Sequence, residues 1–74
     1  MKTKPIALTR VSDTEVSTVK LPNWTTSLGY ETCLFRDNGE SKVVGEYATE
    51  VDALHGHIFW VNNLSTHGWN HEEV

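Results

Sequence analysis

Residues 30–47, YETCLFRDNGESKVVGEY, contain the clearest strand pattern and the clearest turn signal of the chain. Over residues 30–36 the side chains follow a period of two, which is the period of a β-strand. Asn38-Gly39 comes next, and this dipeptide is the strongest short-range signal for a hairpin because both residues tolerate positive φ. Residues 42–47 then return as the partner strand. The segment therefore predicts an antiparallel β-hairpin.

The two faces of this hairpin follow from the alternation. Thr32 and Leu34 lie on one side of the strand, and Cys33 and Phe35 lie on the other. We expect Phe35 and Val44 to be cross-strand neighbours, with the register defined to within one residue. Cys33 stands in the middle of an apolar strand pattern. That position is typical of an inert core cysteine rather than of an activated thiolate.

Two further strands precede the hairpin. Residues 5–10 alternate apolar and polar side chains, and residues 15–21 are rich in β-branched residues, which favour strands. Ser12-Asp13 between them reads as a turn. Residues 22–29 carry turn-forming residues and no stable period, so they are predicted to form a loop around Trp24.

A helix is predicted after the hairpin. The Thr49 hydroxyl can cap its first turn, where Asp52 at the third position can reach back towards the cap. We expect the helix to fade near residues 62–64 and to stop firmly at Gly68. At 3.6 residues per turn, its sheet-facing stripe is predicted to comprise Val51, Leu54, Ile58 and Val61, with His57 and Leu64 on one flank.

This order of elements predicts the fold class and its extent. Strands followed by one helix favour an α+β fold, with a small antiparallel sheet of three to four strands and one C-terminal helix packed on one face. We assign residues 1–64 to a single α+β domain and residues 65–74 to a polar C-terminal tail. Within that tail, Trp69 is the one large apolar anchor.

The size of the chain bears on its stability and location. A domain of 74 residues buries only about 60% of the surface of its unfolded chain. Cys33 is the single cysteine, so an intrachain disulfide cannot add stability, and a homo-oligomer is expected. The sequence contains neither a secretory apolar run nor a membrane-length one, so we expect a cytoplasmic protein in a reducing compartment, with no membrane association.

Charge is unevenly distributed along the chain. The net charge is −4, but residues 1–42 hold all six basic residues and five acids, whereas residues 43–74 hold five acids and no Lys or Arg. Nucleic-acid affinity comes mainly from neutralised phosphates, so no direct DNA binding is expected. The acidic second part suits a basic partner, or it is simply a solvated helix N-terminus and tail.

No catalytic or metal-binding constellation is evident. A serine in a nucleophile elbow and a phosphate-binding glycine loop are both absent from the sequence. Two of the histidines are two residues apart and would point about 160° apart on a helix, and the other two flank Gly68. We therefore predict a binding protein that is not an enzyme and uses no metal or cofactor. The histidines are His55, His57, His67 and His71.

The aromatic residues of the C-terminal third indicate a binding surface. Phe59 lies about 100° from Ile58 and beyond the predicted stripe, one turn after His55. Trp60 is placed on the far flank, and Trp69 lies in the tail. Large aromatic side chains dominate interface hot spots, so the predicted protein-binding residues are Phe59, Trp60, Trp69 and His55. The alternatives are a homodimer contact, or a wide apolar arc over which the tail folds back.

A nucleotide ligand is a second possibility for the first part of the chain. Trp24 or Tyr30 would stack on a base, and Arg36 or Lys42 would face phosphates across a subunit interface. Arg10 and Lys20 could contribute in the same way.

Four pieces of the sequence resemble a group of short, uncharacterised proteins of tailed bacteriophages. They are VSTV at residues 16–19, YETCLF at 30–35, YATE at 47–50 and ALHGH at 53–57, within a span that covers a little over half of the chain. The sequence departs from this group at residues 20–24, where a more apolar continuation is expected. The resemblance implies a phage accessory protein made inside a bacterium, and it supplies no site residues.

Within the ALHGH piece, Gly56 is unusual because glycine in a helix costs about 1 kcal/mol relative to alanine. Close packing at Gly56 or a partner there would explain it, and we expect His57 to bond a strand carbonyl. The leading functional hypothesis is a protein that inhibits or redirects a host protein, including a defence-system component. The alternatives are an oligomeric sponge for a nucleotide signal and a minor virion structural or assembly protein.

Overall fold

The computed structural model describes residues 4–22 and 29–68, which form a four-stranded antiparallel sheet with one helix packed against it. The predicted α+β fold is thereby confirmed. No helix in these two ranges is long and apolar enough to span a bilayer. The elements are β1 Pro5–Val11, β2 Thr14–Lys20, β3 Tyr30–Arg36, β4 Ser41–Tyr47 and α1 Glu50–His67.

The sheet is a meander in which each strand pairs with its neighbours in the chain, in the order β1-β2-β3-β4. The two-residue turn Ser12-Asp13 joins β1 to β2, with Ser12 at φ 57°. In the predicted hairpin, Gly39 has φ 97° and its amide donates to the Arg36 carbonyl at 3.0 Å. The hairpin predicted from Asn38-Gly39 is thus confirmed, with Gly39 rather than Asn38 at positive φ. The strand order leaves β1 and β4 at the two edges of the sheet.

The register between β3 and β4 differs from the predicted one. Phe35 pairs with Ser41, not with Val44, and Cys33 pairs with Val43. The pairing shifts by one residue between Thr32 and Cys33. Such a shift is a β-bulge, in which two residues of one strand lie opposite one residue of the other. Val44 is the extra residue and packs against the core cluster. The predicted Phe35–Val44 neighbours are therefore wrong.

Both ends of α1 carry the caps that the sequence indicates. The Thr49 hydroxyl accepts a hydrogen bond from the Asp52 amide at 3.2 Å. Gly68, at φ 79°, ends the helix and donates its amide to the Leu64 carbonyl at 3.0 Å. The helix extends to His67, so it passes the predicted limit at residue 64 and includes the first three residues of the predicted tail.

The predicted sheet-facing stripe of α1 is wrong for Val51 and Ile58, whereas Val61 packs against the core as predicted. Val51 and Ile58 are 62% and 57% exposed, whereas Ala53, His57 and Leu64 are buried. The helix is therefore rotated by roughly a quarter turn from the orientation that its most apolar residues favour. We name the residues of α1 that face the sheet the inner stripe: Ala53, His57, Trp60, Val61 and Leu64.

The apolar core is small and lies between the inner stripe and the sheet. Its buried centre is formed by Val16, Leu34 and Leu64. Partly buried apolar residues complete it from β1, β4 and the helix: Val11, Val44, Trp60 and Val61. Threonines occupy much of the remaining helix-facing sheet surface, so polar groups are buried beside this core.

Candidate functional site

Close packing explains the glycine in the helix. The Tyr47 side chain lies between Gly45 of its own strand and Gly56 of α1. A Cβ atom built on either glycine would overlap the Tyr47 phenol ring. The absence of a side chain at Gly56 therefore allows Tyr47 to pack directly against the helix backbone, as the prediction of close packing requires.

A buried polar network lies beside Gly56. His57 Nδ1 is 2.8 Å from Thr18 Oγ1, and His57 Nε2 is 2.9 Å from Thr9 Oγ1. Thr18 Oγ1 is also 2.7 Å from Thr32 Oγ1. The network connects α1 to β1, β2 and β3. The predicted bond from His57 to a strand carbonyl is replaced by bonds to two threonine hydroxyls, which can act as donors or acceptors.

The environment of His57 defines its chemistry. Burial lowers the pKa of its imidazole from the usual 6.5, because the charged form loses hydration. Both ring nitrogens are bonded to hydroxyls under the helix, so neither points to solvent as a catalytic base would. We assign His57 a positioning role: it sets the rotation of α1 on the sheet.

The opposite side of α1 carries a second apolar stripe. Val51, His55, Ile58 and Phe59 follow i, i+4, i+7, i+8 spacing, so they lie along one face of the helix. All four are exposed, and Phe59 is 55% accessible. We name these four residues the outer stripe. An amphipathic helix that buries one face has no structural need of a second apolar face, so the outer stripe is the candidate functional site.

Trp60 connects the two stripes. It is half-buried and packs against the core cluster, and its ring meets Phe59 edge to face with centroids 5.7 Å apart at 89°. Such aromatic pairs contribute about 0.5–1.5 kcal/mol beyond the area they bury. Trp60 therefore supports Phe59 from below rather than offering a free surface of its own.

The structure places three of the four predicted protein-binding residues close together on α1. His55 and Phe59 lie together on the outer stripe, with Trp60 beneath them, whereas Trp69 lies outside the described residues. Sequence reasoning missed Val51 and Ile58 as surface residues because it assigned them to the core. The small residues Ala53 and Gly56, on the same side as His57, were the signal for the correct rotation.

Charge near the outer stripe is acidic. Glu50 and Asp52 occupy the first turn of α1, and the helix contains no Lys or Arg over residues 50–67. Carboxylates at a helix N-terminus are stabilised by the helix dipole. They also place negative charge at one end of the outer stripe, which favours a partner with basic groups at the rim of its interface.

The predicted nucleotide-binding residues are more dispersed. Tyr30 and Arg36 stand at opposite ends of β3, about 20 Å apart at the usual rise per residue. Arg36 forms ion pairs with Glu40 at 2.8 Å and Asp13 at 3.3 Å. Lys42 pairs with Leu34 near the Arg36 end of β3.

At the Tyr30 end of the sheet, Lys20 is its cross-strand partner. Arg10 is bonded to Asp37 at the other end. Trp24 lies outside the described residues. One chain therefore brings Tyr30 and Lys20 together but separates them from Arg36 and Lys42.

Cys33 lies on the sheet face that points away from the helix, not in the core as predicted. Burial, and then the neighbouring Glu31 carboxylate, raise the pKa of its thiol to about 11. The Sγ atom donates to Glu31 Oε1 at 3.4 Å. The thiol is therefore protonated at neutral pH, and it is not an activated nucleophile.

Residues 4–22 and 29–68 contain no detectable pocket and no group of three or more side chains placed to hold a metal ion. Comparisons with protein-family models, curated proteins and solved structures give no match for this chain. Function is therefore inferred from the geometry of the described residues.

Proposed function

We propose that this protein is a small binding protein of bacteriophage origin that inhibits or redirects a host protein, with bacterial defence components among its candidate targets. We further propose that the outer stripe of α1 is the surface that contacts this partner. The observation that supports the proposal is the double apolar character of α1. The helix buries one stripe against its own sheet and leaves a second one exposed.

The outer stripe has the composition of an interface centre. Complete burial of a large apolar side chain contributes about 1.5–3 kcal/mol, and Val51, Ile58 and Phe59 are all available for it. Aromatic residues near the centre of a contact contribute most of the binding energy. A typical interface buries about 800 Å² on each partner, which is more than four side chains supply. Polar residues around the outer stripe would therefore form the rim of the contact.

The mode of recognition follows from the element that carries the stripe. An amphipathic helix can insert its apolar face into a hydrophobic groove, where side chains at i, i+4 and i+7 spacing fill successive pockets. The acidic first turn of α1 would then meet basic groups at one end of that groove. The phage origin in this proposal rests on the resemblance of residues 16–57 to short phage proteins.

The first step of the test is to identify a partner by affinity capture from extract of a bacterial host and to purify it. The dissociation constant is then measured by calorimetry for the wild-type protein and for Ile58→Ala and Phe59→Ala. Each variant should bind at least about tenfold more weakly, the equivalent of roughly 1.4 kcal/mol.

Phe35→Ala is the matched control, because Phe35 is 44% exposed but lies on the sheet face opposite the helix. Its affinity should equal that of the wild type within about twofold, a difference of less than 0.5 kcal/mol. The proposed surface is wrong if Ile58→Ala and Phe59→Ala retain full affinity, or if Phe35→Ala weakens binding as much as they do.

A further inference from the structure

The two edges of the sheet differ in how they are protected. A bulge interrupts β4 near its middle, and Lys42 and Glu46 place charges along it. Bulges and charged side chains are devices that prevent an edge from pairing with another strand. The bulge in β1 lies at its start, between Pro5 and Ala7, so the pairing of β1 is regular from Ala7 to Val11.

The backbone groups of β1 alternate in direction. Val11 and Thr14 flank the two-residue turn and exchange backbone hydrogen bonds, as the closing pair of such a hairpin does. The same alternation directs the N–H and C=O groups of Thr9 and Ala7 towards β2. Leu8 and Arg10 therefore direct theirs outward, to the side on which the described residues provide no further strand.

The one charged side chain within β1 is directed away from this edge. Arg10 bonds to Asp37 in the turn after β3, and its guanidinium lies 4.0 Å from Glu15 on β2. Its charge is thus neutralised over the interior of the sheet. Leu8, which is 56% exposed, is the other outward-bonding residue of the regular stretch. The β1 edge therefore lacks both a central bulge and a repelling charge.

We propose that β1 pairs with β1 of a second copy of this chain, in antiparallel orientation about a twofold axis at Thr9. Thr9 is the centre of the regular stretch, so this register uses all of it. Leu8 lies opposite Arg10 of the second copy, and the two pairs so formed exchange four backbone hydrogen bonds. Thr9 faces its own equivalent, a threonine pair that is favourable across strands.

The side chains fit this arrangement. Leu8 packs on the aliphatic part of Arg10 of the second copy, and Ala7 lies opposite Val11 of the second copy on the helix side. Like charges do not lie opposite each other in this register. The result is a continuous eight-stranded sheet with both helices on one face. Because the twofold axis is perpendicular to the sheet, both outer stripes are displayed on the same side of the dimer.

Light scattering and sedimentation on the purified protein test this pairing. The wild type should show twice the 8.4 kDa of one chain. Leu8→Lys removes the apolar contact with the aliphatic part of Arg10 and adds a charge to this edge, so it should raise the dimer dissociation constant on the order of tenfold or more. Val43→Lys is the matched control: Val43 is 51% exposed on the same sheet face, but at the β4 edge, so its dimer should equal that of the wild type.

Amide hydrogen exchange provides a second measurement without any substitution. The amides of Leu8 and Arg10 should exchange more slowly as protein concentration rises, whereas those of Ala7, Thr9 and Val11 should be protected at every concentration. A mass of one chain at concentrations up to about 1 mM would overturn the proposal. A dimer that Val43→Lys dissociates and Leu8→Lys does not would also overturn it, in favour of contact through the sheet faces.

Discussion

The inner and outer stripes of α1 run along the same eighteen-residue helix, yet they differ in every property that separates folding from binding. The inner stripe combines one small residue, a histidine and three larger apolar residues, and it is buried or half-buried against the sheet. The outer stripe is at least as apolar but is exposed. Hydrophobicity alone therefore does not decide which side of a helix faces its sheet. Fit to the sheet decides it.

That fit has two parts. Ala53 and Gly56 let the helix backbone approach the sheet closely, with Tyr47 filling the space at Gly56. His57 satisfies the hydroxyls of Thr9 and Thr18, which would otherwise lie beneath the helix without this partner. A buried hydroxyl that loses its partner costs about 1–3 kcal/mol, which is comparable with the gain from burying one more aliphatic side chain.

Truncation of one residue on each stripe should give the largest difference. Leu64→Ala removes a buried side chain from the core and should lower the free energy of unfolding by about 2–5 kcal/mol. Ile58→Ala should change it by no more than about 0.5 kcal/mol, because Ile58 is exposed. Urea unfolding followed by circular dichroism measures both values. A larger loss for Ile58→Ala than for Leu64→Ala would mean that the helix presents its other side to the sheet.

The pH dependence of stability should isolate the contribution of His57. Burial lowers its pKa in the folded protein, so the unfolded chain binds the proton more tightly. Stability should therefore be full above pH 6.5 and should fall as the pH drops below 6.5 towards the folded pKa. Two carboxylates titrate at lower pH. The pKa of Asp13 is lowered from 3.8 by hydrogen bonds from Thr14 and Arg36, and that of Glu40 is lowered from 4.5 by a hydrogen bond from Asn38 and by the Arg36 charge. The loss of stability due to His57 is therefore measured above about pH 4.5, where these carboxylates contribute little.

Thermal unfolding of two variants across this range checks the assignment. His57→Gln should flatten the decline, since the buried titrating group is gone, although its stability at neutral pH should be lower. His55→Gln is the control on the outer stripe and should retain the decline of the wild type. A decline that survives His57→Gln unchanged would assign the effect to another group.

The smallest effect is expected at Gly56, and its sign should depend on Tyr47. In the wild type, Gly56→Ala forces the Tyr47 ring to move and should destabilise the fold by about 1 kcal/mol. In a Tyr47→Ala background the same change should stabilise it by up to about 1 kcal/mol, because alanine is the better helix former. A double-mutant cycle of unfolding free energies measures the difference. Identical effects in both backgrounds would exclude the Tyr47 contact.

Much of the secondary structure was predictable because local chemistry determines it. The alternation in residues 30–36, the Asn38-Gly39 turn and the Thr49 cap each require few neighbours to be correct. The bulge in β4 was not predictable, because two consecutive valines give the same pattern whether or not one of them is extra. The neighbour of Phe35 depends instead on the length of the turn, where the Arg36 amide donates to the Glu40 carbonyl and so places Ser41 opposite Phe35.

The candidate site was predictable only in part, for the same reason. Phe59 and His55 were identified because they lay outside any plausible core stripe. Val51 and Ile58 were assigned inward because the sequence alone does not reveal that Thr9 and Thr18 present hydroxyls to His57. Rotation of a helix on a sheet depends on contacts between residues some 40 positions apart, which periodicity cannot register.

The most direct test of the proposed binding surface is the footprint that a host protein obtained by affinity capture leaves on this chain. Amide chemical shifts of the isotope-labelled protein are recorded as the purified partner is added. We predict that the largest changes occur at Val51, His55, Ile58 and Phe59, with small changes at Phe35 and Val43 on the opposite sheet face. Changes concentrated on that sheet face, with the outer stripe unaffected, would contradict the division of α1 into a folding side and a binding side.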